Sequence, residues 1–281
     1  MQQLDHVGLS IRRKIAVASL SESVNVLRYD GAANRCELLH KMSLDHLTVG
    51  LHAWLVEHDP IRLKQHFYLS SMLNLSSLEQ AHLSSVKLKA RFTPALFSDN
   101  AEIIQRYAAL VGRPLYKGKP QADVLPHQAN LLQLLLRDEP HELDRQLVLA
   151  GEHCVELEKG SGHEMLPSPR FYVSLRGGDK AMLEALILLH ARQRAAVISK
   201  RQRPPRSLIG HFLSASALMS KLCWIRGMPV HVEHDLVPMD LMPVTPLPQY
   251  LDTYDFLFRK PKRMQVVRKI SGWLSHAVAQ H

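Results

Sequence analysis

The residues best equipped for chemistry in this 281-residue chain are its 17 histidines, its 3 cysteines and a few paired carboxylates. His231-Val-Glu233-His234-Asp235 offers two imidazoles and two carboxylates, the ingredients of a metal site. On an extended backbone, however, His231 and His234 point to opposite faces, so one ion cannot take both. Glu152-His153-Cys154, with His163 and Glu164 close behind, holds the components of a thiolate and its base. Cys154 shares a helical face with Leu147, Ala150 and Leu157, which favours a buried structural thiol instead. His190 closes the apolar run Leu186-Ile-Leu-Leu189 and reads as a histidine at the edge of a core, with His211 as a candidate partner. No H-E-x-x-H, G-x-S-x-G, C-x-x-C, G-x-x-x-x-G-K-[ST] or G-x-G-x-x-G occurs. The residues therefore lead to an expectation of no catalytic site, no cofactor and no metal.

Charge points outward to a partner. The net charge is +9 and the pI about 9.6, which attracts an acidic protein, a nucleic acid or an anionic surface without choosing among them. Two basic runs carry much of it, Lys200-Arg201-Gln-Arg203-Pro-Pro-Arg206 and Arg259-Lys260-Pro-Lys262-Arg263. No aromatic residues interleave with them, as a single-strand binding surface would need. A local acidic cluster, Asp138, Glu139, Glu142 and Asp144, opposes this field at a predicted helix start. Arg201, Arg203 and Arg206 on one side and Glu139, Glu142 and Asp144 on the other are thus the candidate partner-binding residues. The first residues carry no basic segment followed by an apolar run, and no stretch reaches the ~18 apolar residues that span a bilayer. Three widely spaced cysteines in apolar surroundings suit reduced thiols. Together these predict a cytoplasmic protein with no membrane partner.

The elements that must position such residues are helical. Periodicity predicts helices at about 20–29, 33–57, 61–73, 78–91, 101–111, 126–136, 141–158, 168–175, 180–200, 207–226, 249–258 and 262–278. A weak extended signal covers Val7 to Val17, and Val230 to Leu236 alternates as a short extended segment does. Asp59, Asp99, Glu139 and Asp179 are each 40 residues apart and fall between helices. The same register holds apolar residues four before (Leu55, Ala95, Leu135, Leu175), four after (Leu63, Ile103, Leu143, Leu183) and eight after (Phe67, Tyr107, Leu147, Ile187). This predicts a hairpin repeat in which each acidic residue caps the next helix. The expected fold is all-α, an antiparallel helical-hairpin repeat array with a short extended, proline-rich C-terminal segment. It forms one domain over 1–281, with repeat-like hairpins at about 33–200, a central helix and C-terminal block at 205–258 and a basic C-terminal helix at 262–281. Gly112 to Pro120 is the first place to look for a joint.

Leu208 to Trp224 is apolar or small on nearly every face, as an enclosed central helix with Trp224 in the core would be. Gly227 and Pro229 end it, and the proline-rich run from Leu236 to Pro248 is predicted to lie pinned across the helical body. The succession Lys221-Leu-Cys-Trp, Gly227-Met-Pro-Val, Leu236-Val-Pro, Leu241-Met-Pro-Val, Pro246-Leu-Pro-Gln-Tyr and Tyr254-Asp-Phe-Leu resembles the C-terminal pattern of the immunity protein 49 family. Phe171-Tyr-Val-Ser-Leu-Arg-Gly-Gly-Asp179, followed by an apolar helix ending in Leu189-His190, is similar to the same family. The likeness covers roughly Ser168 to Leu257. It implies an all-helical, non-enzymatic antidote to a secreted bacterial toxin encoded beside it, acting by steric occlusion across a contact of about 1,600 Å². The excess of basic residues favours a toxin whose binding face is acidic or mixed. A basic helical-repeat module that binds nucleic acid is the alternative.

Overall fold

The computed structural model describes residues 6–29, 34–81, 92–110, 124–151, 167–199 and 214–257. Arg201, Arg203 and Arg206, the second basic run, the 262–278 helix, the Gly112 to Pro120 joint, Cys154 with its neighbours, His211 and the first half of the central helix lie outside them. Among the described residues the chain is all-α. It comprises α1 (His6–Tyr29), α2 (Arg35–Leu55), α3 (Pro60–Ala81), α4 (Phe92–Phe97), α5 (Ala101–Ala109), α6 (Val124–Leu136), α7 (Pro140–Gly151), α8 (Pro169–Gly177), α9 (Lys180–Ser199) and α10 (Ala215–Ile225). None of these is long and apolar enough to cross a membrane.

The extended signal at Val7 to Val17 is overturned, since the whole of this region is α1. Its buried side, Leu9, Ala16, Ser23 and Leu27, recurs at helical spacing, but Val7, Ile11, Ile15 and Val17 are exposed on other faces and blur that period. The predicted break between Leu73 and Leu78 is also absent, because the polar residues there are consumed by packing. Asn74 Nδ2 donates to the Tyr107 hydroxyl at 2.8 Å and Ser77 Oγ to the Cys36 carbonyl at 2.8 Å, so α3 continues past them. The wholly buried α4 lies where the periodicity predicts no helix.

Helices adjacent in the chain pack on one another from α1 to α10, with α3 also touching α5 and α10 returning to α4. Short turns join α2 to α3, α4 to α5, α6 to α7 and α8 to α9, as hairpins require. The α2 and α3 helices approach closely, since a Cβ on Gly50 would sit 3.1 Å from Phe67 and from His66. Of the twelve apolar residues in the 40-residue register, all are buried except Leu55, which is half-buried. Helix lengths within the hairpins differ widely, from 21 and 22 residues in α2 and α3 to 6 and 9 in α4 and α5.

The four hairpin turns share a left-handed residue, at His58, Asp99, Asp138 and Gly178, with φ of 55°, 58°, 58° and 70°. After it, Asp59 Oδ1 accepts from Arg62 N at 2.9 Å and Asp179 Oδ1 from Met182 N at 3.0 Å, as helix caps do. The second turn departs from the register. There Asn100 is the cap, accepting from Ile103 N at 2.9 Å, while Asp99 takes the left-handed position and turns its carboxylate inward. Glu139 likewise does not cap through its side chain, which goes to Arg137.

After α10, whose Ala215 to Cys223 are all buried, Gly227 at φ 72° ends the helix. Trp224 is half-buried rather than central, its indole N–H donating to the Val230 carbonyl at 3.1 Å. Residues 228–257 then run across the body as a strap. Val230 and Val232 point in and His231 and Glu233 out, the expected alternation, with no strand beside them among the described residues. The predicted helix at Gln249 to Phe258 is absent apart from a 3₁₀ turn at Asp255–Leu257. The Gln65 amide accounts for this: it accepts from Leu251 N at 3.1 Å and donates to Leu251 O at 2.9 Å, satisfying the backbone in extended form.

Candidate functional site

The strap is held by a buried ionic clasp. Lys64 (α3), Asp99 (the α4–α5 turn) and Lys221 (α10) are 7%, 3% and 0% exposed. Asp99 Oδ1 lies 2.6 Å from Lys221 Nζ and Oδ2 lies 2.7 Å from Lys64 Nζ. One carboxylate thus faces two ammonium groups, and the strap supplies the remaining negative potential. Lys221 Nζ donates to the carbonyls of Leu241, Met242 and Pro243 at 2.9, 3.2 and 3.2 Å. Lys64 Nζ donates to the Thr245 carbonyl at 2.7 Å and to its hydroxyl, while Thr245 N donates to Asp99 Oδ2 at 3.2 Å. Prolines lack the N–H needed for a ladder, so this segment meets the body chiefly through its carbonyls. Ammonium groups, which only donate, are their complement. Burial pulls the Lys221 pKa down and Asp99 opposes that shift.

Other side chains extend the clasp along the strap. Trp54 Nε1 donates to Asp240 Oδ2 at 2.9 Å, the Tyr250 hydroxyl to the Ser98 carbonyl at 2.6 Å, and the Tyr68 hydroxyl to Asp252 Oδ1 at 2.5 Å. At the far end, His46 Nε2 lies 2.6 Å from the Tyr254 hydroxyl and His46 Nδ1 lies 2.8 Å from His66 Nδ1. Two facing Nδ1 atoms need one proton between them, so the pair fits only while at least one ring is neutral. Burial lowers the His46 pKa to about 3, with His66 adding to the shift. Burial and then the Arg62 and Arg13 charges lower that of His66 to about 4.

The acidic cluster does lie together, on and just before α7, and each member is already engaged. Arg137 Nε and Nη2 donate to Glu139 at 2.7 and 3.1 Å, Arg145 Nε and Nη2 to Glu142 at 2.9 and 2.8 Å, and Arg176 Nε and Nη2 to Asp144 at 3.1 and 3.0 Å. Asp138 meets Arg226 at 2.6 Å. These forked contacts draw the pKa of Glu139, Glu142 and Asp144 below the ordinary carboxylate range. The surface there is a ridge of alternating charge that a partner would meet as ion pairs.

Sequence reasoning missed the clasp although one signal was present. A single lysine inside the buried run from Ala215 to Cys223 requires a buried anion somewhere. The histidines of the 231–235 segment are apart in use: His231 is exposed beside Glu233, and His234 Nδ1 accepts from Leu236 N at 3.1 Å. Among the described residues no group of three or more His, Cys, Asp or Glu is arranged to hold a metal. Cys223 is buried and its thiol is pushed up to about 12, an inert state. A cleft of about 40 Å³ lined by His190, Gln193, Arg194 and Ser214 to Ser216 has room for water rather than a substrate. Compared with protein-family models, curated proteins and solved structures, the chain matches none of them.

Proposed function

We propose that this protein is an antidote that binds a cognate secreted bacterial toxin in the cytoplasm and neutralises it by steric occlusion. The supporting observation is where the residues behind the immunity-protein resemblance lie. Lys221 of the first motif is bonded to Leu241, Met242 and Pro243 of a later one. Tyr250 and Tyr254 of the following two anchor the same strap to Ser98 and His46. The motifs thus build one device, a helical body with its C-terminal segment locked across it, rather than a scattered likeness. A locked surface loses little conformational freedom on binding, which favours a tight protein contact. Its chemistry of mixed exposed charge suits a toxin face that is itself acidic or mixed.

Co-expression with the toxin encoded beside its gene tests the reading. Protection of the cells and a co-purifying complex are expected, and reversal of Arg201, Arg203 and Arg206 should weaken both more than reversal of Glu139, Glu142 and Asp144. Two folded proteins that neither associate nor protect would overturn it. Steeply salt-dependent capture of DNA or RNA, flattened by replacing the three arginines, would move the assignment to nucleic-acid binding.

A further inference from the structure

Ser10 on α1, His52 in the last turn of α2 and Glu57 in the turn that follows meet at one end of the first three helices, a grouping that no motif announces. Ser10 Oγ lies 3.1 Å from His52 Nε2, and His52 Nδ1 lies 3.3 Å from Glu57 Oε1. His52 Nδ1 makes no hydrogen bond, and the Glu57 carboxylate 3.3 Å away acts on it by charge alone, favouring the tautomer that carries its proton there and leaving the Nε2 lone pair facing the serine hydroxyl. Glu57 is held in turn by Arg62, and its Oε1 lies 3.9 Å from Arg13 Nε. His52 is 5% exposed and burial lowers its pKa, which favours the neutral ring that a base requires. Ser10 itself is half-exposed.

Arg13 stands three residues after Ser10, on the same face of α1. Its Nε–H is buried and has no hydrogen-bond acceptor. Its positive charge lies on the carboxylate side of the grouping, 3.9 Å from Glu57.

We propose that Ser10 is an activated nucleophile that accepts an acyl group from small activated esters, with His52 as the base and Glu57 as the positioning residue. The Ser10 oxygen bonds to the ester carbonyl carbon, and its proton passes to His52 Nε2. The carbon–oxygen bond to the leaving group breaks, and that group departs with the proton from His52. Water then releases the acid by the same route, restoring the serine. This chemistry is independent of toxin occlusion, since it uses none of the strap.

The test exposes the full-length protein to p-nitrophenyl acetate and, separately, to a fluorophosphonate, and maps adducts by peptide mass spectrometry. An adduct on Ser10 and none on Ser19, which donates to Asp45 at 2.5 Å, is expected. His52→Gln should slow Ser10 labelling on the order of 100-fold. Glu57→Gln should slow it less, and Ser10→Ala should abolish it. The labelling rate should rise with pH through the ionisation of His52 and level off by neutrality. Wild-type protein with a native helical spectrum and no Ser10 adduct would overturn the proposal. So would equal Ser10 labelling in a natively folded His52→Gln variant.

Discussion

Two regions of this molecule join cations to carboxylates, one in the core and one in water, and they do different work. In the clasp, Lys64, Asp99 and Lys221 are out of solvent, and their donors reach across to Leu241, Met242, Pro243 and Thr245. On the α7 ridge, Glu139, Glu142 and Asp144 are solvated and each is matched by an arginine. Geometry at the ridge is the better of the two, with forked guanidinium contacts, but water and salt screen it. The clasp has left water, so each of its charges depends on the others being in place. The difference teaches that burial, not the neatness of an ion pair, decides which charges specify the fold.

The sharpest way to break this comparison is Asp99→Ala, which strands two buried ammonium groups. A loss of about 3–5 kcal/mol in chemical denaturation is expected, with the strap released to proteolysis. A stability equal to wild type would show that the clasp is incidental. Acid comes next. His46 and His66 are neutral in the fold and take up protons near pH 6.5 when unfolded, so their contribution is complete above about 6.5. It declines as pH falls toward about 4 and about 3. Every tenfold difference in proton affinity between the folded and unfolded chain corresponds to about 1.4 kcal/mol, shared between the two touching rings. Unfolding curves between pH 7 and 4 should show this slope, and replacing both rings with Gln should flatten it.

Lys221→Met should cost less than Asp99→Ala, about 1–3 kcal/mol, because Lys64 still balances Asp99 while three strap carbonyls lose their donor. Trp224→Ala, at a half-buried ring, should cost about 2 kcal/mol, read from the same denaturation curves. The smallest effect belongs to the ridge: changing Glu139, Glu142 and Asp144 together to Gln should leave the unfolding midpoint in place. A large shift there would mean that the ridge holds helices as the clasp does.

Helix class, the hairpin turns and the end of α10 were legible because their chemistry is local. A cap reads a backbone N–H three residues on, as Asp59 and Asp179 do, and Gly227 needs only its own φ. Locality also explains the errors. A one-residue shift puts Asn100 rather than Asp99 at the cap, and α1 carries apolar residues on faces that stay in water. The clasp and the Ser10–His52–Glu57 grouping were invisible for a different reason. Asp99 is 35 residues from Lys64 and 122 from Lys221, and Ser10 is 42 from His52, separations at which no spacing rule operates. The sequence by itself determined the helical class, the places of the hairpin turns and the end of α10. Only the tertiary structure decided that Lys221 meets Asp99 and that the strap's carbonyls complete the charge balance. Pairing through space follows from how helices stack, and stacking sums many weak contacts that no short stretch of chain contains.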